Sequence, residues 1–585
     1  MARYDTIKDM EKTDKLYKIR HSLAHLLAIA ALEHDPNAKL TIGPVVDNGF
    51  YYDIDFSEGK APTPEDLKKI QKTMKKLAGR KLPFTKRTLT DDEAKKMFAD
   101  NPYKMELIEG IIKEGEKATV YDTGDFTDLC EGPHVENTGE IDTDAFKIDH
   151  IAGAYWRGNE KNKMLTRIYG LAFETGKDLN EYLKMIEEAK KRDHRKLGKE
   201  LDLFTFSDLV GPGLPLWTPK GTALREALDG FVREMRDARG YQRVTIPHIT
   251  KKALYETSGH WAKFSEELFK ITTREGKEFA MKPMNCPHHT QIFARTQWSY
   301  RDMPQRYAET TMVYRDEQSG ELGGLTRVLS ITQDDAHVFA RPNQIKQEFS
   351  SVWDMIEILF EKTFGFTLRL RLSTHNPEHF EKYLGTREVW KIAEDALKEI
   401  VKERHVDYFE AQGEAAMYGP KLDFMAKDSL GREHQVATIQ LDMNLPERFD
   451  LFCINEKGEK ERVVMIHCAI MGSIERFTAV LLEHTGGNLP FRFSPIQTWI
   501  LPITDAHGDY AREVLSVLKK SGIRAELHDE AETLGKKIRN GKMQKIPYLL
   551  VIGDKETADK TVTIESREGE AKGAVPLTEL LENLK

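Results

Sequence analysis

Residues 178–204, DLNEYLKMIEEAKKRDHRKLGKELDLF, read as one long charged helix lying between two sections of different character. No single core spans such a divider, and at 585 residues the chain is too long for one domain. The expected organisation is one domain over 1–178, a linker helix over 179–200, a larger domain over 201–494 and a small one over 495–585. The larger domain carries β-runs such as RVTIPHI, TLRLRLS and RVVMIHCAI separated by helices. The last section alternates β, α, β, α, β with short Gly- or Pro-bearing turns, which predicts a small α/β domain with a largely parallel sheet. Neither an internal repeat nor a low-complexity segment is present.

Charged residues make up 31% of the chain and the formal net charge is -8, with no acidic or basic tail, so the overall charge neither favours nor excludes a nucleic-acid partner. Cys130, Cys286, Cys453 and Cys468 are too few and too scattered for a disulfide framework, which points to a reducing, cytosolic compartment. No apolar run reaches transmembrane length, and the opening MARYDTIKDMEKTDK lacks the apolar core of an export signal.

In HSLAHLLAIAALEH, His21 and His25 stand four apart on one face of a helix, the spacing that binds zinc or grips a polar substrate between two rings. Far along the chain DLCEGPHV offers Cys130 and His134, again four apart. Between them a second helix starts at Thr63, an N-cap followed by Pro64 and by Asp66 in the first turn. Its lysines 68, 69, 72, 75 and 76 read first as a solvated face, with an RNA-facing surface as the alternative.

Three features of the larger domain suit one ligand. Arg315 and Glu317 precede a Gly-rich loop that Arg327 follows, the pattern of two strands joined by a long turn. Gly472, Ser473, Glu475 and Arg476 lie where a strand hands over to a helix, and YQRVTIPHI is a helix-to-strand entry with Pro247 near its end. Arginines on a fixed scaffold hold polyphosphate well, because the guanidinium fork is always charged and binds phosphate oxygens in pairs.

The proline-bearing element, the YRDE strand and GSIER resemble motifs 1, 2 and 3 of class II aminoacyl-tRNA synthetases, in that order. MKPMNCPHHTQIF, TQDDAHVF, AMYGPKLDF, ATIQLDM and VMIHCAIMGSIERF resemble the threonyl-tRNA synthetase family in particular. HSLAHLLA, IGPVVDNGFYYDID, DLCEGPHV and AGAYWRGNEKNKMLTRIYG resemble its bacterial-type editing domain, and the last section an anticodon-binding domain. The resemblance runs from about Ile19 to the C-terminus. It implies a multidomain α+β and α/β chain: an α+β editing domain, a class II antiparallel-sheet core and a C-terminal α/β anticodon domain.

By that resemblance Cys286, His337 and His467 hold one catalytic Zn²⁺ with an open position. Taken alone, the same residues read as a buried thiol and satisfied core histidines. The open position answers a problem of shape. Valine nearly matches threonine, so discrimination needs a group that demands the hydroxyl, and zinc gripping amino and hydroxyl together is what the family implies. Asp335 and Tyr418 are expected to orient the amino acid, while Gln333, Lys421, Gln440, Met284 and Ser473 line the site. Arg315 is expected on the α-phosphate and the carboxylate, Arg327 and Arg476 at the γ-phosphate end and the adenine, and Mg²⁺ with the ATP. His260 matches a histidine near the transfer site, where a near-neutral pKa would suit proton removal from a ribose hydroxyl. The partners implied are tRNA(Thr), ATP and L-threonine, in a homodimer paired through motif 1.

Serine also satisfies a zinc that demands amino and hydroxyl groups, so a second, hydrolytic site is needed. The resemblance places it at His21, His25, Cys130 and His134, with Tyr52, Lys104 and Asp128 nearby, acting on seryl-tRNA without metal; a bound metal stands as the alternative. Arg539, Glu556 and Lys545 match anticodon-contacting positions. Four departures from the family pattern stand out. With only 20 residues before His21, the small N-terminal ubiquitin-like domain of many bacterial members is expected to be absent. His288 replaces a small residue, Gly323 a common histidine, and Lys545 and Glu565 replace arginines, the last with reversed charge. The competing readings are a protein that edits but charges poorly and an RNA-binding regulator without catalysis; the retained arginines and Cys/His set argue against the second.

Overall fold

The computed structural model describes residues 14–569 and 571–584, so most of the opening stretch read above for an export signal lies outside the described residues. The described residues form two compact units, one running up to Glu187 and the other from Glu188 onward. Among the described residues no helix is long and apolar enough to cross a membrane.

The first unit is built on helix α1 (Lys15–His34), whose Leu23, Leu26, Leu27 and Ala31 are fully buried. Apolar on nearly every side, α1 is a core helix and has no solvated stripe. It packs on β1 (Gly49–Asp55) and on α2 (Pro64–Ala78), which starts as read: Thr63 accepts from the backbone N–H of Asp66, and the Asp66 carboxylate accepts in return from that of Thr63. The α2 lysines lie towards solvent, two of them paired with Asp66 and Asp144. A three-stranded antiparallel sheet of β2 (Phe84–Thr88), β3 (Thr119–Thr123) and β4 (Phe126–Leu129), with helix α3 (Pro102–Lys113), completes the walls of the first candidate site. Strands β5 (Phe146–Tyr155) and β6 (Met164–Ala172) extend the β1 sheet.

The expected single linker helix is two helices, α4 (Gly176–Lys191) and α5 (His194–Glu200). The break falls at Asp193, whose side chain accepts from the backbone N–H of Arg195 and so starts a new helix.

The second unit centres on a sheet of eight strands among the described residues: β7 (Gln242–Arg243), β8 (Gln305–Tyr314), β9 (Ser330–Ala340), β10 (Thr367–Thr374), β11 (Tyr408–Gln412), β12 (Lys421–Lys427), β13 (Glu433–Asp442) and β14 (Val464–Ser473). Their order is β7-β8-β9-β14-β13-β12-β10-β11; the six inner strands are antiparallel neighbours and each edge strand is parallel to its neighbour. The motif 1 strand is thus only the two residues of β7. Helices α6 (Pro219–Asp237), α8 (Ile345–Glu357), α9 (Arg387–Arg404) and α10 (Ile474–Thr485) bury one face of this sheet in the main core, while α7 (Cys286–Phe293) lies towards the other. Helix α10 alone fully buries Ala479, Leu481 and Leu482, each buried leucine being worth about 1.5–3 kcal/mol of transfer free energy.

The last section has the order β16-β15-β17-β18-β19, where β15 is Thr498–Pro502, β16 Ala525–Leu527, β17 Tyr548–Ile552, β18 Thr561–Ser566 and β19 Ala571–Pro576. Only the β15 pairings are parallel; β17–β18 and β18–β19 are antiparallel. The expected largely parallel sheet is therefore a mixed one. Helices α11 (Gly508–Lys520) and α12 (Leu534–Met543) are long enough to cross over the sheet, whereas the six-residue α13 (Asp554–Asp559) and the turn at Gly569 are not.

Candidate active and editing sites

Side chains two apart on a strand share a face, and directly opposed residues of adjacent antiparallel strands bring their Cβ atoms within about 5.5 Å. On β9 this aligns Gln333, Asp335 and His337. Register then places His337 opposite His467, His467 opposite Gln440 and Gln440 opposite Lys421, so one row crosses four strands. Cys286, the first residue of α7, faces the start of that row, and the ligand-type atoms of Cys286, His337 and His467 all lie within 4.8 Å of one another. His467 Nε2 is 2.8 Å from Asp442, leaving Nδ1, 3.1 Å from His337 Nε2, with the free lone pair. The other nitrogen of His337 is 2.8 Å from His289. A soft sulfur and two imidazoles, fully buried and held from behind, are a donor set that fits zinc. Burial pushes the Cys286 thiol well up and His337 well down, so the imidazole stays neutral with a lone pair to give, and the thiol ionises only with a cation beside it.

Two clefts meet above this row. The larger, about 480 Å³, is walled by Glu317, Arg327, Gly472, Ser473 and Arg476; the smaller, about 300 Å³, by Met284, Asp335, Tyr418, Lys421 and the trio. Arg315, Gln333, Thr438 and Gln440 line both. Arg315 Nε is buried with no hydrogen-bond partner. Arg476 is exposed at the cleft wall and has no ion-pair partner among the described residues, whereas Arg327 is fixed by Glu317 and Glu321. Tyr418 donates to Gln440 (2.7 Å), and Asn285 donates to Asp335 (2.9 Å). Alternation turns Asp334 to the opposite face of β9, and a bulge on the facing strand β14, whose Ala469–Ser473 opposes only Gln333–Asp335, brings the backbone N–H groups of Ile470, Met471 and Gly472 onto its carboxylate. Burial raises its pKa to about 6. That grip shapes the hand-over at Gly472 (φ +74°), where Ser473 caps α10.

His260 departs from expectation. It is fully buried, with Nδ1 2.8 Å from Ser258 and Nε2 3.8 Å from the Cys286 sulfur, and it lines neither cleft. Burial pushes its pKa down to about 3, far from the near-neutral value read for it. His288 does not crowd the trio: it packs 6.3 Å from Tyr255, while its neighbour His289 makes the approach. Gly323 forms a tight turn with Thr326 and Arg327 and has no side chain to reach beyond it.

In the first unit His21, His25, Cys130 and His134 bring their ligand-type atoms within 4.8 Å of one another. His21 and His134 each place Nε2 3.3 Å from Cys130 Sγ, and their other nitrogens face the Pro133 carbonyl and the Ser22 hydroxyl, both at 3.1 Å. His25 Nδ1 is buried with no partner. Burial pushes Cys130 up to about 12 and His25 down to about 3, and lowers His134 further still, so these three are uncharged at neutral pH. Beside it Tyr52 donates to Asp128, which pairs with buried Lys104 at 2.6 Å.

The three anticodon candidates do not share one environment. Arg539 is exposed on α12. The Glu556 carboxylate is occupied, accepting from the Gly553 N–H and the Thr563 hydroxyl. Lys545 lines a crevice with Leu201, Gly487 and Ile496, where the last section meets the main sheet's domain, which places it away from an open RNA-facing surface. The reversed charge at Glu565 is met by Lys542 at 2.6 Å.

Sequence reading passed over His289, Asp442, Ser22 and Asp334. All four sit inside motifs quoted above, and only tertiary packing and strand register reveal what they touch.

An antiparallel sheet carrying arginines on a strand-loop-strand and on a strand-to-helix hand-over is the core of a class II aminoacyl-tRNA synthetase, and residues 269–485 match the family described as tRNA synthetase class II core domain (G, H, P, S and T). Residues 497–585 match an anticodon binding domain, and 118–169 the threonyl and alanyl tRNA synthetase second additional domain. The chain belongs to the threonine–tRNA ligase family: it is 49% identical to that ligase from Flavobacterium johnsoniae over 95% of this chain and 86% of the relative, and 49% identical to that from Gloeobacter violaceus over 97% and 92%. A solved structure titled as the RNA binding domain of threonyl-tRNA synthetase from Cryptosporidium parvum Iowa II superposes with a TM-score of 0.64 at 41% identity, over 67% of this chain and 97% of that one.

Proposed function

We propose that the paired clefts activate threonine with ATP and transfer it to tRNA(Thr), and that the His21–His134 cluster hydrolyses seryl-tRNA(Thr). The observation that carries this reading is the shared wall: Arg315, Gln333 and Gln440 face both clefts, with the Cys/His trio at the floor of the smaller.

ATP, with its Mg²⁺, occupies the larger cleft, its γ-phosphate end and adenine held by Arg327 and Arg476. Threonine occupies the smaller, its amino group towards Asp335 and Tyr418. Arg315, at the junction, holds the α-phosphate and the threonine carboxylate together. A carboxylate oxygen attacks the α-phosphorus, the bond to the bridging oxygen breaks and pyrophosphate leaves; Arg315 offsets the charge that gathers at phosphorus. Cys286, His337 and His467 would hold a zinc ion, which would supply a Lewis-acidic partner for an amino group and a neighbouring hydroxyl together, a demand that valine does not meet. Lys421 and Gln440 complete the cleft walls, with Met284 as their apolar side and Ser473 at the adenine end. His260, fully buried behind Cys286 and outside both clefts, has no part in the ribose step on this reading.

Serine passes that test, which gives the first unit its task. Its imidazoles and thiol offer hydrogen bonds to a seryl ester and a water without a metal, while Lys104, Asp128 and Tyr52 form a fixed polar edge. Exposed Arg539 is the better placed of the anticodon candidates. The limits 1–178, 179–200, 201–494 and 495–585, a homodimer paired through motif 1 and a cytoplasmic location belong to the same reading.

The test is amino-acid-dependent ATP/pyrophosphate exchange with threonine, valine and serine, before and after zinc removal. Exchange with threonine, some with serine, little with valine, and loss on zinc removal are expected. No exchange from folded, zinc-replete protein with any of the three overturns the ligase reading.

A further inference from the structure

Asp193, His194 and Glu483 bring three ligand-type atoms together outside both sites. The geometry there is that of a clamp. His194 opens α5 and is buried; its Nδ1 is 2.7 Å from Glu483 Oε1 on α10, and its backbone N–H donates to the same oxygen at 3.2 Å. Its Nε2 accepts the backbone N–H of Leu325 at 3.1 Å. With Nε2 accepting, Nδ1 carries the proton and donates to the carboxylate, so both nitrogens are spent and no lone pair is left for a metal. Arg432 holds the other Glu483 oxygen at 2.6 Å.

Leu325 is the fully buried residue of the loop that joins β8 to β9. Its neighbour Gly324 has φ +55°, and a Cβ there would stand 2.3 Å from His194 Nε2, so the loop is shaped against this ring. Two residues on is Arg327, a wall of the larger cleft, whose carbonyl accepts the Gly323 N–H. The ring therefore ties the loop carrying Arg327 to α10, the helix carrying Arg476.

We propose that His194 is a positioning residue for nucleotide binding: it fixes Arg327 relative to Arg476 without touching substrate. This rests on the reading of the larger cleft as the ATP site.

The test is steady-state exchange with full-length His194→Leu, His194→Gln and Gly324→Ala, varying ATP and threonine separately, with thermal melting alongside. Loss of the Leu325 hydrogen bond is expected to raise KM for ATP about tenfold in His194→Leu, with KM for threonine within about twofold. His194→Gln, which keeps one donor and one acceptor, should recover most of the loss, and Gly324→Ala, which pushes on the ring from the loop side, should repeat the ATP-specific rise. If His194→Leu does not fold, Gly324→Ala alone decides: a selective rise in KM for ATP supports the clamp, and an unchanged value overturns it. Equal rises for both substrates, or no recovery in His194→Gln, also overturn it, since a merely structural role predicts those. Wild-type protein without exchange sinks the ligase reading; wild-type exchange with unaffected variants sinks only the clamp.

Discussion

Asp442 fixes the tautomer of His467: its carboxylate lies 2.8 Å from Nε2, and the lone pair of Nδ1 is thereby aimed at the space shared with His337 and Cys286. Asp442→Asn keeps the oxygen that caps Asn444 and Leu445 but removes the charge behind the imidazole. Zinc affinity, read by chelator competition, is expected to fall about 10–100-fold. Unchanged affinity would show that the carboxylate serves the turn alone.

Arg315 is half-buried at the junction of the clefts, with its Nε buried and unpartnered. Arg315→Lys keeps a charge and loses the planar fork, so kcat/KM for threonine-dependent exchange should drop at least about 100-fold with the fold intact. A change of less than threefold would move the α-phosphate elsewhere.

At the first-unit site, Cys130→Ala removes the atom that His21 and His134 share. Seryl-tRNA(Thr) should then accumulate while threonine charging stays within about twofold of wild type, because the two sites have no residue in common. Zinc should remain at one ion per chain in wild type and variant alike; a second ion lost with Cys130 would make this a metal site.

Burial holds His25 at about 3, below the roughly 6.5 of an unfolded chain. Between those values the unfolded chain binds a proton that the folded one refuses. The stability present above pH 6.5 is therefore lost as pH falls towards 3, by up to about 1.4 kcal/mol per unit for this group. The melting temperature should fall between pH 7 and pH 5, and fall less steeply in His25→Gln. Parallel slopes would mean that His25 titrates freely.

What the sequence could tell follows from how its signals work. Period and capping are local, so the Thr63 start, the Gly472 hand-over and the loop between Arg315 and Arg327 were legible. Strand order is not local. The row His337–His467–Gln440–Lys421 joins residues up to 130 positions apart, and no spacing rule reveals that β14 lies between β9 and β13. The same holds for His289, Asp442 and His194, whose partners are set by register and by loop packing. The linker misread has a different cause. A charged run gives helix content, while its interruption at Asp193 depends on one side chain turning back to cap a new start. His260 was misjudged because burial, which sets its pKa, is a property of the packed state.

One guanidinium lies in the walls of two compartments. Two separate anions, a triphosphate and a carboxylate, must divide a single positive charge there, whereas a mixed anhydride spanning the junction carries less charge and has that cation to itself. On the proposed reading the reaction would change which occupant the protein retains: the severed diphosphate would lose its claim on Arg315 and leave through the larger cleft, and the activated amino acid would stay behind until an RNA end arrives to take it.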